Sequence, residues 1–224
     1  MLTDFQTTVA HLFFTLPAID GFLLAGGAAL LAQQMTTRPT QDLDFFTSRG
    51  QSSVIDARDQ FEHAAHAQGW TVDRIHDTDT FCRLLLHGPE DLLIDLALDS
   101  PPGMPATASI AGPTFAPDEL AGRKLVALFD RAEARDFADV HTLTTHYDKN
   151  TLLSLAADVD TGFDHGTALR RTPFLLRDRL HTGQIRSPLG RSADRTHPRH
   201  SPLAVSTTGG PLVTISRYQA CFCR

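Results

Sequence analysis

Two carboxylates, Asp42 and Asp44, flank Leu43 in the run Asp42-Leu43-Asp44-Phe45-Phe46. On a strand, residues two apart point to the same face, so both acids stand together while Leu43 and Phe45 turn into a core. Held about 5 Å apart at an effective dielectric near 20, two such charges repel by roughly 3 kcal/mol. A strand that builds them in among apolar residues therefore calls for a compensating cation, and a hard divalent ion, most simply magnesium, supplies one. Taken alone, an Asp-x-Asp pair serves equally well as the solvated end of a strand.

Three further features bear on that choice. Gly26-Gly27 follows the short apolar run Phe22 to Leu24 and precedes a helix of small residues. A strand-to-helix turn of this kind offers exposed amides to a phosphate and lets the backbone approach it closely. The pair lacks the third glycine of a dinucleotide fingerprint, and its bland reading is a tight turn. Asp95 is the single acid within Leu92 to Leu98, an otherwise apolar run, where an unpaired carboxylate is costly. It must face a cation, a donor or a cleft, and it is the candidate third carboxylate, able to share a metal or accept a proton. A structural salt bridge to an arginine is the alternative. Lys124 lies four residues from both Leu120 and Leu128, at the border of a buried helix face, where it either snorkels or reaches a cleft as a point charge for phosphates. Beyond it come Arg131 and Arg135-Asp136-Phe137-Ala138-Asp139-Val140. Phe137, Val140 and Leu143 are expected to pack and to leave Asp136 and Asp139 on a more polar side, with Arg135 and Asp139 spaced as an i, i+4 pair.

The elements that must position these groups follow from periodicity. Apolar positions at helical spacing predict a helix over residues 4–15, capped by Thr3 or Asp4. A strand at Phe22 to Leu24, a glycine turn and a helix from Ala28 to Met35 come next. Arg38, Pro39 and Thr40 lead into a strand at Leu43 to Phe46, Pro39 closing the helical region. Helix returns from Ser53 to Gln68, with Gly69 at its C-terminal cap. Trp70 to Ile75, Phe81 to Leu86 and Leu92 to Leu98 read as three strands of an antiparallel meander. A loop from Pro101 to Pro117 precedes helices at Asp118 to Arg131, Ala134 to Tyr147, Thr151 to Val159 and near Thr167 to His181. The order implies an α+β fold, an N-terminal lobe with a mixed sheet over residues 1–105 and a helical lobe over residues 115–182. From residue 183 to 224, serine, proline, arginine, histidine and threonine dominate, and a poorly ordered tail is expected.

Composition narrows the classes. The chain has 224 residues, 42% of them hydrophobic, as in ordinary globular proteins. A net charge of -6 argues against coating nucleic acid by bulk electrostatics, although arginines gather between Arg170 and Arg199. The three cysteines, Cys82, Cys221 and Cys223, make no disulfide framework and lack the partners of a zinc site. No apolar run is long enough to span a bilayer, and the N-terminus lacks the pattern of a signal peptide. A cytoplasmic protein without a membrane partner is the expectation.

Taken in order, Gly26-Gly27-Ala28, then Arg38, Thr40, Asp42 and Asp44, then Asp95, then Lys124, Ala127, Leu128, Arg131, Arg135, Asp136 and Asp139 resemble the AbiEii-type nucleotidyltransferases. This group of the DNA polymerase β-like superfamily includes toxins of type IV abortive-infection systems and the mycobacterial MenT toxins. The resemblance covers roughly residues 20–145. It implies a polymerase β-like lobe that moves a nucleoside monophosphate from a nucleoside triphosphate (NTP) to a hydroxyl, with RNA, and tRNA 3′ ends in particular, as acceptor. By resemblance, Asp42, Asp44 and Asp95 hold two magnesium ions. Gly26, Gly27 and Thr40 belong to the nucleotide site, Lys124 neutralises the triphosphate, and Arg38 reaches the phosphates or locks its loop. Asp136 and Asp139 are marked as functional without an assigned step. A cognate antitoxin is the implied partner. Transfer to a small molecule or a protein hydroxyl, or a degenerate protein that only binds nucleotide or a partner, are the competing readings.

Overall fold

A computed structural model describes residues 1–164. The helix expected near Thr167 to His181 and the tail from 183 to 224 lie outside the described residues, as does the segment rich in arginine from Arg170 to Arg199.

The N-terminal helix α1 (Asp4–Phe13) starts where the sequence puts a cap. Thr3 accepts from the Gln6 amide and the Gln6 side chain accepts from the Thr3 amide, a reciprocal capping box. After a 3-10 turn come β1 (Leu23–Ala25), α2 (Gly26–Ala32), β2 (Asp42–Ser48) and α3 (Val54–Ala67). The strands β3 (Thr71–Asp77), β4 (Phe81–His87) and β5 (Asp91–Asp99) then form the expected antiparallel meander. Helices α4 (Pro117–Arg131), α5 (Ala134–Leu143) and α6 (Lys149–Val159) follow.

Helix α2 ends at Ala32 rather than Met35 and α5 at Leu143 rather than Tyr147, and two differences bear on the site. The glycines are the first residues of α2 rather than a turn ahead of it. Within residues 101–117, read as loop, β6 (Thr107–Ser109) and β7 (Gly112–Thr114) form a hairpin. Strands of three residues, one containing Pro113, carry too little periodic signal to stand out from a loop. In the structure they extend the sheet, because β7 pairs in parallel with β1 through Leu24 and Thr114.

The seven-stranded mixed sheet runs β3-β4-β5-β2-β1-β7-β6. On one face, Phe45 of β2 stacks on Phe13 of α1 with ring centroids 4.0 Å apart, and Phe13 also meets Phe22 and Phe61 of α3. Leu43, Phe45, Phe13 and Phe61 are fully buried there, so α1 and α3 cover the apolar face. The side chains of Asp42, Asp44 and Phe46 point to the other face by alternation. Behind α4, Gly122 lies against the Leu155 carbonyl of α6, where a Cβ would collide with backbone. The α4–α5 elbow turns through Ala132 in the left-handed conformation, at φ 52°.

Candidate active site

Register gathers the acids. Parallel pairing of β2 with β5 sets Asp44 opposite Asp95, Phe46 opposite Ala97 and Ser48 opposite Asp99. Antiparallel pairing of β1 with β2 sets Ala25 opposite Asp44, which brings the start of α2 against that acid. Gly26 has φ +62° and a Cβ on it would overlap the Asp44 carboxylate; one on Gly27 would come within 2.9 Å of Thr40 Oγ1 and 3.0 Å of Arg38 Nη2. Gly26 is thus favoured by its left-handed φ and by the Asp44 carboxylate over it, and Gly27 leaves room for Thr40 and Arg38 over α2.

Above this face a cavity of about 310 Å³ separates the sheet from α4. Leu120, Arg123, Lys124, Ala127 and Arg131 recur at three- and four-residue spacing, so one stripe of α4 forms its far wall. The cavity is charged at one end, where Arg38, Thr40, Asp42, Asp44, Lys124, Arg131 and Arg135 converge, and more apolar toward the other, where Phe46, Ala97, Leu98 and Leu120 are bounded by the Asp99–Arg123 pair.

The charged end is an interlocked set of ion pairs around one carboxylate that has none. Asp42 accepts from Thr40 Oγ1 at 2.5 Å and from Arg135 Nη1 at 3.0 Å. Asp44, only 7% exposed, has neither a hydrogen bond nor an ion pair among the described residues. Burial, and then the charges of Asp42 and Asp95, push its carboxyl up to about 8; Lys124 and Arg135 offset this only in part. Asp95 is buried and held by both Nε and Nη2 of Arg83, at 2.8 and 2.6 Å. It does not line the cavity. The salt-bridge reading of Asp95 is therefore the contact the structure shows.

On the opposite wall, expectation needs correcting. Asp136 and Asp139 do not face a polar side: both are fully buried. Lys124 does not snorkel, because its ammonium lies 3.4 Å from Asp136 and 3.1 Å from Asp139. Arg131 grips Asp136 through two hydrogen bonds, and Arg38 grips Asp139 through two of 2.8 Å. Arg38 thereby ties the segment ahead of β2 to α5. Arg135 pairs with Asp42 rather than with Asp139, and its Nε sits 2.8 Å from Glu133 without hydrogen-bond alignment. Motif order and the family resemblance named the members of this network, but the partners lie up to 101 residues apart and only the fold pairs them.

The aromatic and charged cavity residues missed from the sequence are Phe46, Asp99, Arg123 and Asp130. The signal for Phe46 was present, since strand alternation continues Asp42 and Asp44 to Phe46. Arg123 adjoins Lys124 on the same helical stripe.

Among the described residues, no three His, Cys, Asp or Glu side chains stand together as a ready metal cluster. The donor set nevertheless fits a hard cation. Asp42 and Asp44 both line the cavity, and Asp44 is a buried, unpartnered acid driven toward its protonated form by its neighbours, a strain that a divalent ion relieves. Asp95 would join them only on release from Arg83.

Comparison with known proteins agrees with this geometry. Residues 10–200 match the family model described as "Nucleotidyl transferase AbiEii toxin, Type IV TA system". Among solved structures, the fold is similar to JHP933 from Helicobacter pylori, with TM-score 0.51 and 21% identity over 70% of this chain and 74% of that one. It is also similar to MenT4, a nucleotidyltransferase toxin from Mycobacterium tuberculosis, with TM-score 0.51 and 16% identity over 69% of this chain. The matched region spans 63% of the length of MenT4. At these identities the likeness speaks to fold alone. No curated protein matches the chain.

Proposed function

The chain belongs to the AbiEii nucleotidyltransferase toxin family of type IV toxin–antitoxin systems, and from that premise we propose that it is a magnesium-dependent enzyme transferring a nucleoside monophosphate from an NTP to RNA, at the 3′ end of tRNA. The observation that carries this reading is the cavity itself. Paired carboxylates on β2 face a cationic wall from α4 and α5 across the start of α2, as in-line phosphoryl transfer requires.

In the proposed step the acceptor hydroxyl oxygen bonds to the α-phosphorus as the bond from that phosphorus to the bridging oxygen of the β-phosphate breaks. Pyrophosphate leaves, and the hydroxyl proton passes to solvent or to a carboxylate of the site. Asp42 and Asp44 would hold magnesium, which when bound favours the deprotonated nucleophile and neutralises the leaving oxygens. Asp95, once released by Arg83, is the proposed third carboxylate, on the nucleophile side. Gly26, Gly27 and Thr40 border the triphosphate path. Lys124, Arg131, Arg38 and Arg135 are matched by Asp42, Asp44, Asp136 and Asp139, so the net positive charge that draws a polyphosphate would come with magnesium on Asp42 and Asp44. The cations themselves, held in place by buried acids before substrate arrives, support a polyphosphate at this end. In this reading Asp136 and Asp139 position Lys124, Arg131 and Arg38 and do not touch the reacting atoms.

Among the described residues no helix is long and apolar enough to cross a membrane. The proposed substrates place the action in the cytoplasm, with a cognate antitoxin as the physiological partner.

The test incubates the protein with each α-labelled NTP, magnesium and total RNA, beside Asp44→Ala. Label entering tRNA with the native protein alone, and lost on chelation, supports the proposal. Label in a protein or small-molecule fraction shifts the acceptor to that class. No transfer to anything, with undiminished toxicity of Asp44→Ala in cells, overturns the enzymatic reading of the site.

A further inference from the structure

The cavity has a second end that the phosphate chemistry does not use. Along β2 the face carrying Asp42 and Asp44 continues to Phe46, which is half-buried and lines the cavity. Opposite Phe46 in register stands Ala97, and Ala97, Leu98 and Leu120 line the cavity with it. At the far end Asp99 and Arg123 complete the wall. The strand from Asp42 to Phe46 covers about 13 Å at 3.3 Å per residue, and the α4 stripe from Arg131 back to Arg123 covers about 12 Å at 1.5 Å per residue. The two walls run in opposite chain directions, so the polyphosphate end of one meets the polyphosphate end of the other.

The Asp99–Arg123 pair is built rather than incidental. Arg123 donates through Nη1 to Asp99 at 2.8 Å, through Nε and Nη2 to Glu119 at 3.0 and 2.8 Å, and through Nη2 to the Ser100 carbonyl at 3.2 Å. Its guanidinium also lies 3.9 Å from the ring centroid of Phe115. Asp99 Oδ1 accepts from the Ser100 amide at 2.7 Å and, at 3.5 Å, from its hydroxyl. A carboxylate has about four acceptor positions, so this fixed acid keeps acceptor capacity at the cavity edge. The side chains of Asp99 and Arg123 are only 14% and 11% exposed.

We infer that the apolar end is the nucleobase subsite for the donor NTP: Phe46 is the platform on which the base stacks, and Asp99, steadied by Arg123, selects bases that present an exocyclic amino group over uracil. This rests on the nucleotidyltransferase reading of the charged end. A cavity of about 310 Å³ is near the small limit of ligand pockets, roughly 300–1,000 Å³. If the charged end holds a triphosphate, the base at the other end belongs to the same molecule. A ring face stacks any base, whereas a carboxylate edge accepts from the amino groups of cytosine, adenine and guanine. Uracil sets carbonyl oxygens on both sides of its one N–H, so its approach turns lone pairs toward the acid.

Calorimetric titration of the full chain in magnesium, with the four NTPs and with inorganic tripolyphosphate, tests this. The wild type should bind NTPs more tightly than tripolyphosphate and favour CTP, ATP and GTP over UTP by about tenfold. Phe46→Ala should bring every NTP down to the affinity of tripolyphosphate, with Phe46→Tyr restoring the difference. Asp99→Asn, which keeps an acceptor for Arg123, should remove the discrimination against UTP and leave tripolyphosphate binding unchanged. Equal affinity of the wild type for NTPs and tripolyphosphate overturns the inference and spares the phosphate site. Unchanged NTP binding in both variants with a raised KM for RNA assigns this end to the acceptor and overturns it too. No binding of any probe defeats both readings.

Discussion

Asp44 is the residue at which sequence and physics meet most directly. Its neighbours in sequence placed it on a strand face beside Asp42, and the reason for a cation was legible from that alternation alone. The register that sets Asp95 directly opposite it was not legible, because it depends on parallel pairing between strands separated by α3, β3 and β4. Unfolded, its carboxyl ionises near pH 4; folded, burial followed by the charges of Asp42 and Asp95 pushes it up to about 8. Between those values unfolding releases a proton, so the fold loses stability as the pH rises toward 8 and carries no such penalty below about pH 4. Asp44→Asn should therefore stabilise the unliganded protein at pH 8, by on the order of 2 kcal/mol, change little at pH 4, and abolish transfer. Thermal melts at the two pH values check it. Magnesium at pH 8 should raise the melting temperature of the wild type and not of the variant. Coincident melts at pH 8 would show that Asp44 is not held against its charge, and the argument for a cation would lose its basis.

The elements were legible where they were long and periodic. Helix α3 and the β3–β4–β5 meander were readable because fourteen helical residues and strands of seven, seven and nine residues repeat their pattern several times. The β6–β7 hairpin was not, because each of its strands has three residues and is stabilised by β1 rather than by its own sequence. The elbow between α4 and α5 is the element on which the cationic wall depends: Arg131 precedes it, Arg135 and Asp136 follow it, and Arg131 and Asp136 are joined across it. Its left-handed residue is Ala132, not glycine. For an L-residue that conformation costs about 1–2 kcal/mol, while glycine raises the entropy lost on folding by about 0.5–1 kcal/mol. Ala132→Gly should accordingly stabilise the protein by about 0.5–1 kcal/mol and leave transfer within about twofold, since no group of the cavity changes. Urea unfolding measures the first and the labelled-NTP assay the second. A destabilised variant would mean that the elbow is not strained at Ala132.

At the scale of the molecule, the sheet and the helices α4 and α5 face each other across a cleft, and charge ties the two sides. Arg38, ahead of β2, reaches Asp139 on α5, and Arg135 on α5 reaches Asp42 on β2. Helical periodicity placed Phe137, Val140 and Leu143 on a packing face and so assigned Asp136 and Asp139 to a polar one. It ranks side chains by polarity and carries no information about a guanidinium 101 residues away that makes a buried acid tolerable. Removing one member of such a pair leaves a buried charge unmatched, at about 3–5 kcal/mol. Removing both charges costs less than the two single losses summed, because neither survivor is stranded. Asp139→Asn should thus destabilise strongly, since it strands Arg38 and weakens one of the two acids around Lys124. In the Arg38→Met, Asp139→Asn double variant the destabilisation should fall short of the sum of the single losses by about 1–3 kcal/mol. Chemical unfolding of all four proteins gives that coupling. Both single variants should also slow transfer, because the tie sets the width of the cleft in which the acids and the cations must act together. Additive losses would mean that the two sides stand without the tie, and the cleft would then be held by the packing of α2 against α4 instead.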